Sequence, residues 1–249
     1  IAIYVQVIGH NPESLGSVNG IEKHIPSTLD AAIDLALTQH PSIVASLYNI
    51  DVAAYNVRIA EGQLLPTASL SGSFSHRDNS SFDGSWNESA SIIGQISVPL
   101  YQGGELASQV RELKERLGQR RIELDVSRAS IRQQVISAWG TLDAARAQVE
   151  AASARVAAQQ LVLSGVIEER RVGQRTTLDV LDAQQDLLDA QVSQLTAQRD
   201  RVVAAYAVVA SIGRLNAQQI GLNVPVYDPT EHYDEVKDKW FGLRTPDGR

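Results

Sequence analysis

Residues 172–183 read VGQRTTLDVLDA and set two carboxylates, Asp179 and Asp182, three residues apart behind a glycine, with Arg175 nearby. Three kinds of chemistry use such a group. A carboxylate pair can act as general acid and base, but only where burial drives the two pKa values apart. A helix start in water offers no such burial. A carboxylate can also cap a helix: Thr176 and Asp179 have the spacing of a capping box, and Asp179 lies near the positive helix end. The third use is an acidic face. Asp179, Asp182, Asp186 and Asp189 step three, four, three, so one side of a helix carries all four. No lysine stands at i+4 to neutralise them. A solvated face accounts for Asp186 and Asp189, and explains Asp182 least well.

No other chemistry competes. The five histidines, His10, His24, His40, His76 and His232, have no metal-ligand spacing. There is no glycine-rich phosphate loop and no serine in a G-x-S-x-G turn. We therefore expect no enzyme, no cofactor and no metal site. A net charge of −7 argues against a nucleic-acid groove. The absence of cysteine excludes disulfides and thiolate metal sites. The chain has no methionine and opens without a charged, cleavable leader, which reads as a mature chain or an internal piece. No run of 18 apolar residues predicts a transmembrane helix, but β-strands that cross membranes carry a weaker signal.

The elements that must position the aspartates are long. Residues 1–26 read as an irregular lead-in. Ser27 and Asp30 have capping-box spacing ahead of a helix that Pro41 interrupts, giving a broken helix over 27–63. The period then changes to two. In TASLSGSFSH (67–76) serines occupy one face, and Ala68, Leu70, Gly72 and Phe74 the other. Residues 89–100 repeat this, with Ala90, Ile92, Gly94, Ile96, Val98 and Leu100 on the apolar side. Strict alternation predicts two strands, each about 10 residues long, as a tilted membrane-crossing strand requires. The hairpin occupies 64–102. An amphipathic hairpin on a soluble core is the rival reading.

From Glu105 to Arg171 there is no proline, and a heptad seam runs from Leu106 through Val110, Leu124, Ile131, Val135, Leu142 and Val156 to Val166. Two steps of four around Ile131 act as a stutter. Such a helix is about 100 Å long. Gly173 stops it, and a return helix runs to about Gly213 with an expected seam of Leu178, Leu181, Leu188, Val192, Leu195, Val202, Tyr206 and Val209. The helical hairpin thus spans 103–213 with its tip at 171–176, and 214–249 forms a mixed C-terminal segment with a short helix. The fold class is mainly α: long antiparallel coiled-coil helices plus one β-hairpin.

VPLYQGGE after an alternating strand, the heptad helix, VGQRTTLDVLDAQ at the tip and RVVAAYAVVASIGRLNAQQIGL at the close resemble the second structural repeat of TolC-like outer-membrane efflux and secretion channels. The likeness covers roughly residues 25–222. It implies half of an α/β-barrel protomer, a homotrimer with a transmembrane β-barrel in the outer membrane and a helical tunnel in the periplasm. Segments 1–26 and 214–249 would be equatorial. The implied function is a passive exit duct for tripartite multidrug efflux or type I protein secretion, partnered by a periplasmic adaptor, an inner-membrane pump (RND or ABC) and outer-membrane lipid.

The resemblance also implies site roles. In a symmetric ring each aspartate repeats about the axis, and carboxylate rings select cations. Asp179 and Asp182 would ring the tunnel mouth, with Arg175 helping to hold it shut. Val172, Gly173, Thr176, Val180, Leu181 and Ala183 would dock the adaptor. Leu70, Phe74, Ile92, Ile96 and Val98 would face lipid. The family often has a tyrosine two residues before the Val-Gly pair; Arg170 stands there instead, so the closing network differs. The alternatives are a periplasmic adaptor, which should show a lipoyl-like or small β-barrel domain, and a soluble structural coiled coil.

Overall fold

The alternating stretch does form two strands, and the heptad stretches form helices. The computed structural model describes residues 2–12, 20–78, 84, 86–222, 224 and 227–242. Most of the loop between the strands (79–83 and 85) and the basic end from 243 lie outside the described residues. In chain order the elements are α1 (Ala2–Ile8), a 3-10 turn (Ile21–His24), α2 (Leu29–Gln39), α3 (Pro41–Gly62), β1 (Thr67–Asp78), β2 (Trp86–Ser97), α4 (Glu105–Arg171), α5 (Thr177–Ser211), α6 (Ala217–Ile220) and α7 (Pro229–Val236). The fold is mainly α with one β-hairpin.

Two compact units divide the chain, 41–129 and 1–40 with 130–249. In the first, α3 runs antiparallel to the opening stretch of α4. Lys114 Nζ lies 2.8 Å from Glu61 Oε1 near one end. Ser46 Oγ and Ser127 Oγ are 3.5 Å apart near the other. Positions on the two helices therefore sum to a nearly constant number, as antiparallel partners must. The inward stripe of α3 includes Ile43, Val57 and Ala60, all buried. Its outer side is also apolar: Tyr48, Val52, Tyr55 and Ile59 are exposed.

In the second unit, α5 folds back along the distal part of α4. Gln194 Nε2 donates to Ser153 Oγ at 3.1 Å. Leu142 and Val208 are wholly buried in one cluster with Ala204, Ala205, Val209 and Ile21, the last brought in by the 3-10 turn. Arg201 Nε lies 3.6 Å from Glu22 Oε1 beside it.

Along α4 the buried residues Val110, Leu124, Ile131, Val135, Leu142 and Ala152 keep the expected seam. On α5 the seam is different. Its buried residues are Val180, Ala183, Ala190, Ala197, Ala204, Ala205, Val208 and Val209. Of the expected stripe only Val209 is among them; Leu178, Leu181, Leu188, Val192 and Leu195 are exposed. The physical reason is size. Small side chains let two helix backbones approach, so an alanine stripe wins the contact with α4. The larger leucines are left outward, where only a further helix or membrane can cover them.

Three local expectations need correction. Residues 2–8 are helical rather than irregular: Gly9, at φ 91°, caps α1, and its N–H bonds Val5 O at 2.8 Å. The cap of α2 is Thr28, not Ser27; Thr28 Oγ1 accepts from Ala31 N at 3.3 Å, which puts Asp30 one position too early for a capping box. The strands extend further toward the loop and less far toward the base than the alternation suggested. Thr67 pairs with Ser97, so Val98 lies beyond the ladder. The residues outside that last pair are hemmed in by Pro66 and Pro99, which lack the N–H a ladder needs.

Candidate functional site

The tip between α4 and α5 is built from two interlocking caps. α4 ends in a Schellman motif: Gln174 N donates to Glu169 O at 2.9 Å and Gly173 N to Arg170 O at 3.0 Å. Gly173 sits at φ 82°, the left-handed geometry that this motif assigns to glycine. Three residues later the chain enters α5 through a full capping box. Thr176 N donates to Asp179 Oδ2 at 2.7 Å, Thr176 Oγ1 donates to the same oxygen at 2.9 Å, and Asp179 N donates back to Thr176 Oγ1 at 3.2 Å.

These contacts set the electrostatics. The backbone N–H of Thr176, then its hydroxyl, hold the Asp179 carboxyl below the usual carboxylate range, with a smaller push from Arg175. Arg175 does not bridge to the aspartates. Its Nε donates to Glu169 Oε2 at 2.8 Å, and that hydrogen bond followed by the Glu169 charge raises its pKa. Glu169 is a participant that the sequence reading missed; a Glu and an Arg six residues apart across a glycine turn were the available signal. The Asp182 side chain makes no hydrogen bond or ion pair with a described residue. Asp186 is alike, while Asp189 accepts from Gln185 Nε2 at 3.0 Å.

The tip residues divide by exposure. Val172, Gly173, Thr176 and Leu181 are exposed. Val180 and Ala183 are each only 6% exposed, because they belong to the alanine-rich seam of α5. In this chain both therefore pack inward rather than presenting a surface.

One consequence is testable at once. A folded-state pKa below the unfolded value means the cap's contribution is present above the ordinary carboxylate range and is lost as pH falls through the lowered value. Thr176→Ala should destabilise the start of α5 by about 1 kcal/mol. Hydrogen exchange of the amides at 177–180 should speed up in that variant at neutral pH, and the gap should narrow in acid without closing, because Thr176 Oγ1 still accepts from Asp179 N when the carboxyl is protonated.

The second candidate region is the hairpin. Every residue of β1 and β2 is exposed. The antiparallel register keeps the two faces distinct. On the polar face Ser73 and Ser91 hydroxyls are 2.8 Å apart, as are those of Ser75 and Ser89. On the other face each pair joins a large residue to a small one: Ala68 with Ile96, Leu70 with Gly94, Gly72 with Ile92, Phe74 with Ala90. The result is an even apolar band that nothing in the described chain covers: Leu70 is 79%, Phe74 71%, Ile92 82% and Ile96 75% exposed. The band ends at His76, whose Nδ1 is 2.9 Å from Glu88 Oε1 and Nε2 3.1 Å from Asp78 Oδ1.

The model of the family described as "Outer membrane efflux protein" matches residues 32–214. Over its full 249 residues the chain is 49% identical to "Outer membrane efflux protein BepC" of Brucella suis, and covers 54% of that protein. It is 28% identical over 227 residues to "Outer membrane protein TolC" of Salmonella enteritidis, covering 86% of this chain and 46% of that one. The chain thus spans about half the length of the curated relatives it matches. Among solved structures, the Campylobacter jejuni CmeC outer membrane channel superposes with a TM-score of 0.67 at 16% identity, over 88% of this chain and 48% of that chain. That likeness shows the fold.

Proposed function

This chain belongs to the outer membrane efflux protein family, and we propose that it is one of two repeats in a protomer of an outer-membrane exit duct. The duct is passive. Small toxic solutes or secreted polypeptides leave through it, driven by an inner-membrane pump of the RND or ABC type and joined to it by a periplasmic adaptor. The hairpin at 64–102 crosses the outer membrane, the helical hairpin at 103–213 lines the periplasmic tunnel, and 1–26 and 214–249 lie at its equator.

One observation carries this reading. The hairpin has an apolar face, a serine face, two open edges and no core of its own. Two strands alone are marginal in water and cannot close a barrel. Lipid on one side, water on the other and neighbouring strands at both edges satisfy all four features together. The exposed leucine stripe of α5 and the outer apolar side of α3 call for neighbouring helices in the same way, which a homotrimer with the remaining half of each protomer would supply. The adaptor alternative would need a small β-barrel or lipoyl-like domain, and the described residues have only the hairpin as β structure.

At the tip, Asp179 and Asp182 repeat about the trimer axis as a carboxylate ring, and Arg175 holds the mouth closed. Val172, Gly173, Thr176 and Leu181 form the exposed surface for the adaptor. The test is conductance. The complete protomer, purified in detergent and added to a planar lipid bilayer, should give stepwise current with a preference for cations. Folded protein that inserts no conducting unit would sink the duct reading.

A further inference from the structure

We infer that Glu169 is the positioning residue for Arg175, holding the arginine of the tip within its own chain so that the mouth stays narrow. This rests on the proposal that the tip is the tunnel mouth. Three observations support it.

Glu169 grips the turn twice. Its backbone carbonyl accepts from Gln174 N, and its side chain accepts from Arg175 Nε, on consecutive residues of the turn. The carboxylate is therefore fixed to the end of α4 while its partner belongs to the segment leading into α5. Second, the contact uses Nε. The two Nη groups of Arg175 make no hydrogen bond with a described residue and remain available as a fork for a carboxylate outside this chain. Third, Arg175 feels Glu169 first and Asp179 next. A charge on α4 and one on α5 thus both favour the charged form of Arg175, although only Glu169 bonds to it.

A single exposed ion pair is weak, because solvent and salt screen it. Its effect here comes from direction. Without Glu169 the long arginine side chain regains its rotamers, and its Nη fork is no longer aimed. Removing the glutamate should then mimic removing the arginine.

The experiment records single channels of the complete protomer in planar bilayers with Arg175→Ala, Glu169→Gln and both together. Arg175→Ala should raise the open fraction several-fold. Glu169→Gln should give most of the same rise, and the double variant should add nothing further. Raising salt should open the unsubstituted channel and leave Glu169→Gln little changed. A simple loosening of the helix end would not reproduce that pattern. Hydrogen exchange at the Gln174 amide, bonded to the Glu169 backbone rather than its side chain, should stay slow in Glu169→Gln. If Arg175→Ala opens the channel and Glu169→Gln does not, Glu169 has no positioning role, although the tip remains the mouth. If neither variant alters opening in a conducting channel, both the inference and the assignment of the mouth fall.

Discussion

Replacing Asp179 and Asp182 together by asparagine should abolish the cation preference expected of the assembled channel and weaken block by multivalent cations on the order of tenfold or more. The expectation follows from what each carboxylate does in the folded chain. Asp179 is held ionised by Thr176, so it carries its full charge throughout the neutral range. Asp182 lies one turn further along the same side of α5 and has no partner among the described residues to offset its charge. Two unit charges 4 Å apart interact by only about 1 kcal/mol in bulk water, but several carboxylates facing one narrow opening add, and exclusion of water strengthens each. The single variants separate two roles. Asp182→Asn should shift selectivity without disturbing the helix start. Asp179→Asn should shift selectivity and also speed amide exchange at the tip, because its carboxylate completes the capping box. Asp186→Asn with Asp189→Asn, deeper along α5, is the control: an equal loss of selectivity there would show that the whole acidic stripe, not its tip, sets the field. Unchanged selectivity in the Asp179/Asp182 double variant would return Asp179 to capping alone and Asp182 to a solvated face.

Much of the fold was legible because its signals are long or local. The heptad seam of α4 persists from Val110 to Ala152, so occasional polar interruptions could not hide it. The capping box at Thr176 and Asp179 involves four consecutive residues, and needs no knowledge of what packs nearby. The errors share a cause: they needed a partner that sequence does not display. On α5 the leucines outweigh the alanines in hydrophobicity, so the leucine stripe looks like the inner face. Which stripe turns inward is decided by how closely α4 approaches, and there the alanines fit. The burial of Val180 and Ala183 is hidden for the same reason, since a tip motif looks exposed until the seam beneath it is known. Glu169 was missed because its contact with Arg175 crosses a turn rather than following a helical period. At the hairpin, the alternation was plain over 67–76 and 89–97. Charged and polar residues such as Arg77, Asp78, Asn87 and Glu88 concealed the rest of the ladder, although they pair across it in regular register.

Changing Leu70, Phe74, Ile92 and Ile96 together to serine should stop the complete protomer from inserting into membranes, while leaving the helices able to form. Each large apolar side chain moved from water into an apolar medium contributes about 1.5–3 kcal/mol. In this chain the four are exposed, so none of that stabilisation arises within the described residues themselves. It becomes available only when lipid covers the band. A soluble hairpin packed on a core would instead lose its folded state with the same four changes. The band's pairing makes a sharper version possible. Ile92 and Ser91 are neighbours in one strand, and their side chains point to opposite faces of the sheet. Ile92→Arg puts a charge in the middle of the apolar band, at a cost of about 2–4 kcal/mol if that face meets the centre of a bilayer. Ser91→Arg puts the same charge on the serine face, where water in a lumen would solvate it at little cost. The measured quantity is folding and insertion into lipid vesicles, read as resistance to heat and protease. Loss with Ile92→Arg and tolerance of Ser91→Arg would place lipid against the large-small pairs. Equal tolerance of both would mean that neither face meets hydrocarbon, and the hairpin would have to be covered by protein instead.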